Sequence, residues 1–261
     1  MRHRTLGLWL GSCLVMAGWA QTSNTAAINQ QNANNYCRIY FSSPKDGQTQ
    51  QYEAGRKKHV QFHRNQKDTF TYLAYSIETG ERAGSYVYTT CGHALKDFDE
   101  WEARMGKADA TDAAMTMAPY TGSNSNGIYV YRADMSLMTP SPTPSPMAQV
   151  AAYHLHPAAA PDFIAAIKKI NDALNKLPDW PKTSWWLQLV NGGQTPTFVL
   201  VAARKNWAEY APLSKSLADV LTEAYGKEQA DAIQKTIRDC TERIDTETGE
   251  YRADLSYLPG K

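Results

Sequence analysis

An internal echo constrains this chain more than any other feature. Residues 131–138 read YRADMSLM and residues 251–258 read YRADLSYL, an offset of 120. The same offset pairs Gly106-Lys107 with Gly226-Lys227. Upstream the offset falls to about 113: Tyr40 and Pro44 match Tyr153 and Pro157, Leu73 matches Leu187, and Tyr86-Val87 matches Phe198-Val199. Matches that keep their order along a whole chain read as a tandem duplication. Such a chain must build one unit twice and then cover two like surfaces.

Further boundaries follow from composition. Arg2 and Arg4, the apolar run Leu6 to Met16, and small Gly18 and Ala20 before Gln21 form a signal-peptide pattern over 1–20. The run is too short for a membrane span. The expected location is periplasmic or secreted, after cleavage near Ala20. Residues 21–35 read as a disordered leader, 36–138 as the first repeat, 139–148 as a linker and 149–258 as the second repeat. The linker's TPSPTPSP should be extended, spanning roughly 25 Å. With 27 basic and 26 acidic residues the chain is close to neutral. That argues against a nucleic-acid partner and against electrostatic steering to anionic lipid. Three cysteines beyond the signal peptide, Cys37, Cys91 and Cys240, allow at most one internal disulfide.

Each repeat reads as strand, helix, strand, strand, helix, strand. In the first, strands are expected at Cys37–Ser42, Phe70–Ile77, Ser85–Cys91 and Ile128–Asp134. Helices are expected over about 47–66 and from Leu95, restarting after Gly106. In the second, strands are expected at Gln149–His156, Trp185–Val190, Thr197–Ala203 and Tyr251–Leu255. Helices are expected at Asp162–Leu177, Leu213–Tyr225 and Lys227–Ile244. Asn191-Gly192-Gly193 marks a hairpin turn.

This order is the split βαβ pattern. The chain resembles the dimeric α+β barrel superfamily, with two ferredoxin-like (βαββαβ) repeats fused in tandem and packed sheet to sheet as an intrachain pseudo-dimer. That superfamily includes antibiotic-biosynthesis-type monooxygenases, haem-degrading enzymes, chlorite dismutases and NIPSNAP-like proteins. The resemblance covers about residues 36–258 and rests on element order and duplication, without a catalytic motif. It implies a monomer with an internal pseudo-two-fold. It also places Cys37, at the start of the first strand, near Cys91, at the end of the third. A cross-strand disulfide is then geometrically possible, beside the alternative of two buried thiols, with Cys240 unpaired.

Several residues could carry chemistry. His154 and His156 point to one side of a strand, toward the barrel interior or rim. They lack an evident third ligand, so no metal site is expected there. His59 and His63 lie one turn apart on a helix face shared with Tyr52 and Arg56, turned toward the sheet. They could ligate haem iron or a metal, act as a base, or simply pack. Strand aromatics, among them Tyr86, Tyr88 and Trp186, could form a wall for a planar ligand or fill the core. No nucleophile elbow, phosphate-binding glycine loop or paired CxxC motif is present, so hydrolase, kinase and dehydrogenase readings have no residue support. No cofactor is indicated by a motif; haem enters through the resemblance alone. Three readings follow: a binder of a small apolar or aromatic molecule, a monooxygenase-like or haem-handling enzyme, and a packed structural or interaction module.

Overall fold

The structure is a computed structural model that describes residues 34–141 and 143–260. The signal-peptide segment and nearly all of the leader lie outside the described residues. The first half comprises β1 (Tyr36–Pro44), α1 (Thr49–Asn65), β2 (Leu73–Thr79), β3 (Tyr86–His93), α2 (Leu95–Trp101), a π-turn (Glu102–Gly106), α3 (Lys107–Thr116) and β4 (Thr121–Tyr131). The second comprises β5 (Met147–Leu155), α4 (Ala160–Asn175), β6 (Ser184–Asn191), β7 (Thr197–Arg204), α5 (Leu217–Tyr225), α6 (Lys227–Cys240) and β8 (Thr241–Tyr251).

The strands close into one barrel in the order β1-β3-β2-β8-β5-β7-β6-β4. Both halves therefore run last-first-third-second across their own strands. Two antiparallel seams join them: β2 to β8 and β4 to β6. Closure leaves no free edge among these strands. No helix among the described residues is long and apolar enough to cross a membrane.

Side-chain alternation sorts each strand between cavity and helices. On β5, Ala148, Val150, Ala152 and His154 line the interior, while Tyr153 and Leu155 pack under the helices. The second half's outer layer is conventional. Helix α4 turns Phe163, Ala166, Ile167, Ile170 and Leu174 inward at helical spacing. They pack with Trp186, Phe198, Val220, Leu221 and Ile233. Helix α5 begins at a capping box, in which Ser216 Oγ accepts from Asp219 N and the Asp219 carboxylate accepts from Ser216 N. It ends at Gly226, whose φ of +80° a side chain would strain.

The repeated YRAD-x-S octets are the clasps of the two seams. Each follows the last strand of its half and forms a short 3₁₀ turn, Ala133–Met135 or Ala253–Leu255. Arg132 grips Asp134 through two hydrogen bonds of 2.9 Å, and Arg252 grips Asp254 through two of 3.0 Å. Ser136 Oγ donates to Arg132 O and accepts from Trp186 N; Ser256 Oγ donates to Arg252 O and accepts from Ala74 N. Trp186 belongs to β6 and Ala74 to β2, each in the half across the seam. Arg132 N donates to Trp186 O and Arg252 N to Ala74 O, both at 2.9 Å. The apolar residue of each octet, Met135 or Leu255, is fully buried.

Some expected boundaries need correction. The helix expected to run to Ile244 ends at Cys240, and β8 starts at Thr241, ten residues before the expected strand. Its sequence TERIDTETGEY shows little apolar alternation because much of its length is exposed. The first half of β4, TGSNSNG, was equally unreadable as a strand for the same reason. The linker ends sooner than expected, since β5 begins at Met147.

The clasps carry a pH signature. Hydrogen bonds from Arg252 hold the Asp254 carboxyl at about 2. Burial alone would raise Asp134, but Arg132 and Lys168 hold it at about 2 as well. With folded values below unfolded ones, both carboxylates stabilise the protein above the ordinary carboxylate range. That contribution is lost as pH falls toward about 2. Urea unfolding followed from about pH 5 to about pH 2 should show this loss, and Asp134→Asn with Asp254→Asn should flatten the slope.

Candidate functional site

The barrel encloses a cavity of about 1030 Å³. The interior reading as a fully packed module is thereby corrected: the eight strands leave room at their centre. The walls are largely apolar, with Ile39, Phe41, Val87, Leu187, Val199 and Val201 around the middle.

The two ends differ. At one, Met138 and residues 139–141 and 143–145 of the linker line the cavity, with Tyr131 Oη donating to Met138 O at 3.0 Å and Tyr75 Oη donating to Ser145 O at 3.4 Å. Burial pushes the Tyr75 hydroxyl up to about 12, so it stays a donor. The Cys37–Cys91 disulfide lines this end, across directly opposed positions of β1 and β3 with Cα atoms 4.0 Å apart. At the other end Arg82 pairs with Glu247 through two contacts of 2.6 Å and lies over the Phe41 ring. There too His154 Nε2 meets Asp245 Oδ2 at 2.9 Å, and His154 Nδ1 meets Thr197 Oγ1 at 3.0 Å.

Of the seven expected pocket residues, His154 lines the cavity. His156 does not: β5 ends at Leu155, its register shifts there, and His156 is exposed beyond it. Tyr86 and Tyr88 point outward, packing with Tyr52, Ala74 and Leu255 under α1, while Val87 and Thr89 face the cavity. Trp186 also points outward, against Phe163 and Tyr153; its neighbour Trp185 lines the interior. His59 and His63 lie outside the barrel, on the buried face of α1. Asp245, Thr197 and Arg82 were not readable as site residues, because distant strands bring them together.

Around the two α1 histidines the structure gathers carboxylates. His59 Nδ1 lies 2.7 Å from Asp112 Oδ2, and His63 Nδ1 lies 2.9 Å from Asp68 Oδ2. Asp109 Oδ1 lies 3.3 Å from His59 Nε2 and 3.5 Å from His63 Nε2. Burial holds the His63 imidazole below its ordinary range, although the Asp68 hydrogen bond opposes this. For Asp68, burial pulls upward, but hydrogen bonds from His63, Phe70 N and Trp101 Nε1 outweigh it and hold the carboxyl low. Asp109, from α3, thus brings one carboxylate oxygen to both imidazoles, a neighbour that the sequence did not reveal.

No sequence family and no curated protein matches this chain. Solved structures do. An anthrone oxidase-like protein aligns with TM-score 0.54 at 10% identity, over 87% of this chain and 94% of its own. A candidate monooxygenase from Fusobacterium nucleatum aligns with TM-score 0.53 at 12% identity, over 84% and 93%. A chlorite dismutase variant from Candidatus Nitrospira defluvii aligns with TM-score 0.51 at 10% identity, over 88% and 96%. Likeness at such identities bears on the fold alone: an eight-stranded antiparallel closed α+β barrel, with neighbours of the dimeric α+β barrel type.

Histidine-ligated haem does not fit the residues that line the cavity. Ligation by histidine needs a free imidazole nitrogen. Among the described residues His154 is the one histidine lining the cavity, and both its nitrogens are engaged. His93 Nε2 is engaged by Thr90 Oγ1, and its ring stacks on Phe70 at 3.8 Å. His59 and His63 are packed among Phe62, Tyr72 and Tyr257 with no space for a macrocycle.

The disulfide closes a loop of 54 residues. Cys37→Ser with Cys91→Ser should lower stability by roughly 4 kcal/mol on loop entropy, measured by urea unfolding against the oxidised protein.

Proposed function

We propose that this protein binds a small, largely apolar or aromatic molecule inside its barrel. The observation that carries the reading is the cavity of about 1030 Å³ with apolar walls and polar groups confined to its ends. Ligand sites of drug-sized molecules combine such walls with a few fixed polar groups. Here Trp185 and Phe41 would offer flat surfaces, and His154 and Arg82 would orient a polar substituent. The linker forms the cover of one mouth, held by Tyr75 and Tyr131.

The same reading takes the halves as a tandem duplication of a ferredoxin-like unit, supported by their common strand order and matching clasps. It also takes the chain as exported. The amino-terminal pattern supports that, as does a disulfide, which persists in oxidising compartments.

Oxidation of the bound molecule is the second reading. The His154–Asp245 pair at the end of an apolar cavity favours it, since a carboxylate-oriented imidazole can serve as a general base. The oxidase-like and monooxygenase neighbours support the fold of such an enzyme.

The test is titration of the purified protein with anilinonaphthalene sulfonate, followed by tryptophan quenching. Saturable one-to-one binding is expected, and Val150→Trp, which fills the cavity, should weaken it at least tenfold. Binding unchanged in a folded Val150→Trp protein would place the ligand elsewhere.

A further inference from the structure

We infer that His59, His63 and Asp109 form a site for one divalent transition metal of the zinc class, outside the barrel and independent of its ligand. The two halves supply an internal comparison. Counting the buried faces of α1 and α4 in register, Tyr52, Gly55, Arg56, His59, Val60 and His63 correspond to Phe163, Ala166, Ile167, Ile170, Asn171 and Leu174. Apart from Asn171, whose amide donates to the Met135 carbonyl, the α4 face over this sheet is built from apolar side chains. Where the second half has Ile170 and Leu174, the first has two histidines, and each has its own carboxylate.

Proton accounting turns that contrast into a site. Asp112 and Asp68, when ionised, only accept, so each histidine donates through Nδ1. In the neutral imidazoles the Nε2 atoms then carry lone pairs, and they lie 3.3 Å apart. The Asp109 oxygen joins them at 3.3 and 3.5 Å. With both imidazoles neutral, three electron-pair donors converge, and a cation would satisfy all three. The edges of this triangle select its class. Tetrahedral coordination with bonds of about 2.0–2.1 Å places ligand atoms about 3.3–3.4 Å apart. Octahedral geometry at similar bond lengths would place them about 3.0 Å apart. The triangle is one face of such a tetrahedron, and the fourth position falls to water or an added ligand.

The surroundings are those of a supported metal centre. Carboxylates orient both imidazoles through Nδ1, the usual outer shell of zinc-bound histidine. Asp68 is further fixed by Trp101 Nε1 at 3.0 Å and by Phe70 N at 3.1 Å. Gly55 lets α3 come close: a Cβ there would stand 2.0 Å from the Thr116 carbonyl oxygen. The π-turn at Glu102–Gly106 sits immediately before the helix that presents Asp109 and Asp112. A bound ion would clip α1 to α3.

The full chain, stripped with a chelator and dialysed against Zn²⁺ or Co²⁺ alone, tests this. Expected are one equivalent of metal by elemental analysis, tetrahedral visible bands for Co²⁺, and a higher melting temperature with Zn²⁺. Asp109 is partly exposed, so Asp109→Asn should fold and yet bind more than a hundredfold more weakly. Asp112→Asn should cost about tenfold to a hundredfold. Substoichiometric metal, or stoichiometric metal whose affinity a folded Asp109→Asn protein retains, would overturn the proposal. His59→Gln adds a second check if it folds, and Asp109→Asn decides the matter if it does not.

Discussion

Closure of the barrel is the constraint on which the rest depends. Each half has two strand edges that its own chain cannot pair, and each edge is satisfied by the other half through β2–β8 and β4–β6. Without those seams, backbone donors and acceptors on four strands would be left without their ladder partners. The clasps stand where this demand is greatest. An arginine–aspartate grip shapes the turn, and a serine hydroxyl bridges one half to the other's backbone. This explains why the octet is the best-preserved echo in the sequence. It is a joint used twice.

The seams also create the interior. Helices cover much of the outer surface of the barrel, so most strands are buried on both faces, whereas much of β4 and β8 is exposed. The outer face packs against helices and the inner face against the cavity. At the far end Arg82 and Glu247 pair across the β2–β8 seam, while His154, Thr197 and Asp245 all come from the second half. Closure brings the two groups to one end of the cavity. The outer layers differ, and each takes in the clasp residue of the other half, Met135 in one and Leu255 in the other. One is a largely apolar core, and the other is broken by Arg56, His59, His63 and Asp68.

The two-sided burial explains which expectations failed. Tyr86, Tyr88 and Trp186 sit on correctly expected strands but face the helices. When both faces are apolar, alternation gives the period and loses the direction. The disulfide partly encodes the answer. Cys91 and Tyr88 are an odd number of residues apart, so they must face opposite sides, although the spacing leaves open which side is inside. His154 had the right direction because Tyr153 and Leu155 flank it with plainly core-forming residues. Strand β8 was missed because its exposed residues carry charge in place of apolar alternation.

The closeness of Cys37 to Cys91 came with the resemblance to a ferredoxin-like sheet; by itself the sequence determined the echo of pattern, the order of elements in each half and the inward turn of the Tyr52–Arg56–His59–His63 face. These follow from periodicity and from echoes between copies, which are local properties of the chain. The tertiary structure alone decided which strand faces look into the cavity, that the cavity stays open, and that Asp109, Asp112 and Asp68 surround the two histidines. The physical reason is distance along the chain. Asp109 lies 46 residues from His63 and Asp245 lies 91 from His154. Such pairs meet only through helix packing and strand register, which single-chain periodicity does not record.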